Sequence, residues 1–196
     1  MAVGQHGALS VVIFNFNFSP WAGLLFALTT MTLIACNRAP SEQEVPSLEL
    51  RRASFAGGTI PKQYSCDGQE ASPELSWKAP PERTQSFALL VTDKDALFGS
   101  FTHWVLYDLP ADKRELPEGT AKQEQLPDGS RQGRNGFDKI GYLGPCPPWG
   151  SHRYVFSLYA LDTKLSLSPG ASMKEVVKAM KGHVLASGEL TGRYRH

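Results

Sequence analysis

The sequence predicts a mainly β protein, an antiparallel β-sandwich with one short helix near the C-terminus. Two observations carry that class. Apolar runs of strand length, rich in β-branched and aromatic residues, recur between clusters of Pro, Gly and Asp. Only one segment repeats its apolar residues at helical spacing, and it comes late in the chain.

Taken in order, Leu48 and Leu50 alternate with polar neighbours near the start of the domain, and Leu75-Ser-Trp77 predicts another short strand. Ser86–Thr92 (SFALLVT), His103–Leu109 (HWVLYDL) and Arg153–Leu161 (RYVFSLYAL) are the strongest strand signals. Turn-forming clusters separate the runs: Ser65-Cys-Asp-Gly68, Lys78-Ala-Pro-Pro81 and Leu126-Pro-Asp-Gly-Ser130. The last opens a long irregular loop through Arg134-Asn-Gly136 to Tyr142, of a kind more often functional than idle. Ser172 and Glu175 have capping-box spacing. Met173, Val176, Val177 and Met180 fall at i, i+3, i+4 and i+7, which predicts a core-facing helix stopped at Gly182. Val184–Tyr194 returns to alternation and predicts a final strand.

The first 35 residues carry no Asp, Glu, Lys or Arg, so all formal charges, 20 basic and 19 acidic, lie from Arg38 onward. Trp21–Ala35 reads as the apolar region of a secretory signal. Leu33-Ile-Ala-Cys36 resembles the bacterial lipobox, in which the cysteine is lipidated and the chain is cut before it. The absence of a basic residue ahead of the apolar run departs from that pattern. A plain membrane anchor is the other reading, but the run is short and no basic cluster follows. The expected organisation is a signal over 1–35, lipidated Cys36 and a polar tether over 36–44, and one domain over 45–196. The protein is then an exported lipoprotein, held at a membrane and facing the periplasm or cell exterior. Asn37, in place of an aspartate after the lipidated residue, favours the outer membrane by analogy.

A net charge of +1 without a basic block gives nucleic-acid binding no electrostatic support. With Cys36 lipidated, Cys66 and Cys146 remain, and an even remainder in an exported chain fits one disulfide. Two free thiols are the other reading. The segment Gly144-Pro-Cys-Pro-Pro-Trp-Gly-Ser-His-Arg-Tyr154 places a proline-stiffened loop directly before a strand that opens with two polar rings. His152 and Tyr154 fall two apart and share a strand face. Asp93 and Asp95 follow an apolar strand, and His103 opens the next. Either these groups gather at a ligand pocket, or the aspartates cap a turn and the histidines are hydrogen-bonded core residues.

These residues belong to a set of ordered motifs: IPKQYSCDGQEASPELSW, DKDA, FTHWVLYDLP, NGF, GPCPPWGSHRY and GHVLASGELTGRY. From about Phe55 to Tyr194 the chain resembles the phosphatidylethanolamine-binding proteins, in their bacterial Raf-kinase-inhibitor-like branch. The resemblance implies a fold of paired antiparallel sheets with a small helix near the C-terminus. It also implies an anion pocket built from Asp93, Asp95, His103, Gly144, Pro145, Cys146, His152 and Tyr154. The family's acidic turn usually reads Asp-Pro-Asp-Ala-Pro, whereas Lys94 and Leu97 stand at the two proline positions here. Each lost proline loosens the turn by about 0.4–1 kcal/mol. Lys94 also brings a mobile charge towards the expected pocket mouth.

Such a pocket suits a phosphorylated ligand, which wants an imidazolium, a phenol O–H and backbone N–H donors. The aspartates would orient the histidines or receive the ammonium of an ethanolamine head group. No Gly-x-Ser-x-Gly elbow, His-Glu-x-x-His pair or phosphate-cradling lysine loop occurs, so no enzyme activity and no cofactor are expected. The expected function is non-catalytic binding of a small anionic ligand such as phosphoethanolamine. The alternative is an inhibitor or interaction protein that docks a kinase, protease or other partner through the same pocket.

Overall fold

The computed structural model describes residues 46–51, 55 and 58–196; the expected signal, Cys36 and the tether lie outside the described residues. Among the described residues, a 3-10 turn over Lys62–Tyr64 precedes seven strands and one α-helix in order: β1 Leu75–Ser76, β2 Ser86–Asp93, β3 Phe101–Pro110, β4 Glu115–Leu116, β5 Arg131–Gln132, β6 Ser151–Leu161, α1 Met173–Met180 and β7 Val184–Arg195. The four long strands, with the two-residue β5 at one edge, form a sheet in the order β5-β3-β2-β6-β7, antiparallel throughout, while β1 and β4 pair in a second, two-stranded sheet. Among the described residues no helix is long and apolar enough to cross a membrane.

The two-residue alternation of β2 explains the layering. Phe87, Leu89 and Val91 point to one face, where they meet Trp104 and Leu106 of β3, Phe156 and Leu158 of β6, Leu75 and Leu116 of the small sheet, and Leu48. Ala88 and Leu90 point to the other face and pack with Val105, Tyr107, Val176 and Met180. Every residue of β2 is therefore buried, as expected of a central strand covered on both sides. The helix has the capping box read from the sequence, with Ser172 accepting from the Glu175 amide and Glu175 accepting from the Ser172 amide. Val177 departs from the expected stripe. It is exposed, because α1 rests on the sheet through Val176 and Met180.

Two further differences have local causes. Leu48 and Leu50 are both buried but form only isolated bridges, Ser47 to Ser187 and Arg51 to Ser76. Between them Glu49 takes a positive φ of 43°, which interrupts extended backbone. The long loop after Ser130 is also tied down. Gln132, fully buried, accepts from Trp104 Nε1 at 2.7 Å and donates to the Ala121 and Gln123 carbonyls. Asn135 accepts from the Phe137 and Lys139 amides and donates to the Gly141 carbonyl.

Candidate functional site

One end of the large sheet is shaped by a register irregularity. Val91 pairs with Trp104 and Thr92 with Thr102, so His103 is the extra residue of a β-bulge. The bulge lets two consecutive side chains turn to one side. Trp104 enters the large core, while the His103 ring stands edge-on to that of Tyr154, with centroids 5.0 Å apart. Asp93 ends β2 directly opposite Tyr154 of β6, and His152 lies two residues earlier on the same face. Gly144 must be glycine: a Cβ there would lie 2.8 Å from the Tyr64 carbonyl oxygen and 2.9 Å from Ser65 C. That close approach seats the proline-rich loop beside the strand ends. Cys66 and Cys146 are joined by a disulfide, with Cα atoms 5.5 Å apart.

These elements enclose a cavity of about 640 Å³. Asp93, His103, Gly144, Cys146, His152 and Tyr154 line it, so six of the eight residues singled out from the sequence converge. Asp95 and Pro145 do not line it. The chain turns immediately after Asp93, whose Oδ1 accepts the Asp95 amide at 2.8 Å. Asp95 is thereby swung away to Arg153, accepting from its backbone amide at 2.8 Å and from its guanidinium. Those side-chain hydrogen bonds hold the Asp95 carboxyl at about 2. The Pro145 carbonyl is occupied by the Cys66 amide at 3.1 Å. Lys94 is exposed and absent from the cavity wall, contrary to the expected charge at the mouth.

The floor of the cavity is polar and mostly accounted for. His152 Nδ1 lies 2.7 Å from Asp93 Oδ2, and both side chains are less than a tenth exposed. Asp93 thus caps a turn with one oxygen and orients an imidazole with the other. His103 donates from Nδ1 to the Leu143 carbonyl at 2.9 Å. Burial holds its pKa below the usual histidine value, so the neutral ring keeps a lone pair on Nε2. The Tyr154 hydroxyl is buried and donates to no acceptor among the described residues, while the Cys146 amide faces its oxygen. Burial, with Asp93 nearby, pushes its pKa well up, the Cys146 amide acting weakly in the opposite sense. It is therefore a phenol available to donate.

Residues that the sequence reading left without a role complete the wall. Glu70 adds a second carboxylate. Leu97, Phe98, Phe101, Phe137 and Pro148 make the upper wall apolar. Phe101 stands edge-on to both His103 and Phe137, with ring centroids 5.2 and 5.1 Å apart. A Cβ at Gly136 would fall 2.3 Å from the Phe101 ring, so the NGF motif is a device for laying Phe137 against it. The motif was visible in the sequence; its distance from Phe101 was not. Among the described residues no lysine or arginine lines the cavity.

A family profile described as phosphatidylethanolamine-binding protein matches residues 51–195. A UPF0098 protein of Methanothermobacter thermautotrophicus is 51% identical over 138 residues, covering 70% of this chain and 91% of that protein. The UPF0098 protein YbhB of Escherichia coli is 42% identical over 132 residues, covering 65% of this chain and 84% of its own length. Two crystal structures are similar. That of a putative phosphatidylethanolamine-binding protein homologue from Chlamydia trachomatis has a TM-score of 0.70 at 37% identity, covering 76% of this chain and 98% of that one. That of Escherichia coli YbcL, described as a new member of the mammalian family, has a TM-score of 0.71 at 31% identity, covering 76% and 99%.

Proposed function

Because this chain belongs to the phosphatidylethanolamine-binding protein family, we propose that its cavity binds a small phosphorylated ligand without transforming it. The carrying observation is the buried Tyr154 O–H, without an acceptor at a floor shared with His103 and His152. An orphaned buried donor costs about 1–3 kcal/mol, a cost a bound acceptor removes. A phosphate oxygen is such an acceptor, and His103, once it takes up a proton, supplies a strong, charge-assisted bond.

The carboxylates select among phosphates. Asp93 and Glu70 repel a bare anion and attract an ammonium, so a zwitterion such as phosphoethanolamine matches both signs of the floor. Calorimetric titration with phosphoethanolamine, inorganic phosphate and ethanolamine tests this. The zwitterion should bind more tightly than either half, and equal or absent binding of all three defeats the reading. We place this activity in an exported, Cys36-lipidated protein, for which palmitate labelling of the wild type and its loss in Cys36→Ala is the test.

One observation favours a second reading, in which the same cavity docks a protein partner. Leu97, Phe98, Phe137 and Trp149 are all exposed, and the first three line the cavity. Exposed apolar groups gathered at one mouth are a common mark of an interaction surface. A partner that stays bound in excess phosphoethanolamine supports docking, whereas competitive release supports the small ligand.

A further inference from the structure

The corner formed by Cys66, Cys146 and His196 lies at the cavity wall, yet ligand capture gives its sulfur chemistry no task. Cys146 is exposed and Cys66 half-buried. His196 Nδ1 lies 4.0 Å from Cys66 Sγ and 3.1 Å from Asp67 Oδ2. Asp67 is itself held by the Tyr194 hydroxyl, whose oxygen also accepts from Ser65 Oγ at 2.7 Å. The imidazole is therefore held within 4.8 Å of both sulfurs of an accessible disulfide, with its hydrogen-bond contact to Cys66.

We propose that this disulfide is a thiol-exchange site, at which a small thiolate is captured on Cys146 while Cys66 leaves. The incoming sulfur attacks Cys146 Sγ and forms a new S–S bond. The Cys66–Cys146 bond breaks, and its electron pair stays on Cys66 Sγ. The incoming thiol is oxidised to half of a mixed disulfide as Cys66 is reduced, so no further oxidant or reductant is needed. The Cys66 thiolate shares the His196 Nδ1–H with Asp67 Oδ2 and later takes a proton from water.

Two features give the direction. Access favours attack on the exposed sulfur, and a stabilised thiolate is the better leaving group. The wall also stays formed when the bond opens. The Cys66 amide donates to the Pro145 carbonyl at 3.1 Å, Tyr142 Oη donates to the Tyr64 carbonyl at 2.9 Å, and Gly144 packs against Ser65. The captured group then stands on a cavity-lining residue and obstructs the anion site. That consequence rests on the binding reading; the exchange itself does not.

The test is incubation of the wild-type protein with reduced glutathione, quenched with N-ethylmaleimide and mapped by tandem mass spectrometry. Glutathione should be found on Cys146 and the maleimide on Cys66. His196→Ala should slow adduct formation by roughly three- to tenfold with an unchanged melting temperature. Glutathione mainly on Cys66, no single adduct, or a wild-type rate in His196→Ala would overturn the proposal. Adduct on Cys146 with unchanged phosphate affinity would support the exchange site and count against the cavity reading.

Discussion

Replacing Asp93 by asparagine keeps the shape of the side chain and removes one acceptor. The wild-type carboxylate uses both oxygens, Oδ1 for the Asp95 amide at 2.8 Å and Oδ2 for His152 Nδ1 at 2.7 Å. Asparagine has one oxygen and one donating amino group. The asparagine oxygen can take the Asp95 amide, leaving its NH2 to His152 Nδ1, which accepts only if the ring changes tautomer, in a site less than a tenth exposed. The lost charge-assisted bond and the forced tautomer together should cost about 2–3 kcal/mol. In a domain of this size that lowers the melting temperature by roughly 4–12 °C. Asparagine also removes a carboxylate that repels a bare anion, so inorganic phosphate should bind at least as tightly as to the wild type, and phosphoethanolamine should lose its advantage over it. Thermal unfolding by circular dichroism with the disulfide intact, and calorimetry with phosphate, read the two effects. An Asp93→Asn protein that melts with the wild type would refute the double-acceptor role.

Three further outcomes are expected. Tyr154→Phe removes a buried O–H that has no acceptor, so stability should change by no more than about 1 kcal/mol while phosphate affinity falls; a marked loss of stability would reveal a hidden acceptor. The depressed pKa of His103 means that the unfolded chain protonates first as pH falls. Its contribution to stability is complete above 6.5 and is lost as pH drops from there through the lower folded value, which a pH series of urea titrations checks. Anion binding requires that same ring to take up a proton, so phosphate affinity should fall about tenfold per pH unit above the folded value. Replacing Cys66 and Cys146 together by serine opens a loop with a sequence separation of 80 residues. The chain-entropy account sets that loss at up to about 4.5 kcal/mol, measurable by chemical denaturation.

What the sequence made legible was local. The β2 and β6 runs, the capping box at Ser172 and the closing alternation after Val184 carry their own patterns, and each appears where expected. The two-residue strands β1, β4 and β5 exist only through partners far along the chain, so no periodicity announces β4 or β5. The histidine before Trp104 was visible, but the bulge that turns both rings to one side is a property of pairing with Val91 and Thr92. Asp95 was grouped with Asp93 because strand geometry was continued one step too far. The turn stabilised by Asp93 itself sends it to Arg153. Glu70 and Phe137 reach the cavity from segments whose folding is fixed by Gly136, Asn135 and the disulfide, contacts that spacing alone does not encode.

The most direct test follows the imidazole C2–H signals by NMR during titration with inorganic phosphate. His183 serves as the internal control, being exposed and paired with Asp162 at 2.8 Å away from the cavity. The account predicts that the His103 and His152 signals shift together and saturate, that His183 stays in place, and that Tyr154→Phe weakens the effect. Equal movement of all three rings, or none, would contradict an anion site at this end of the sheet.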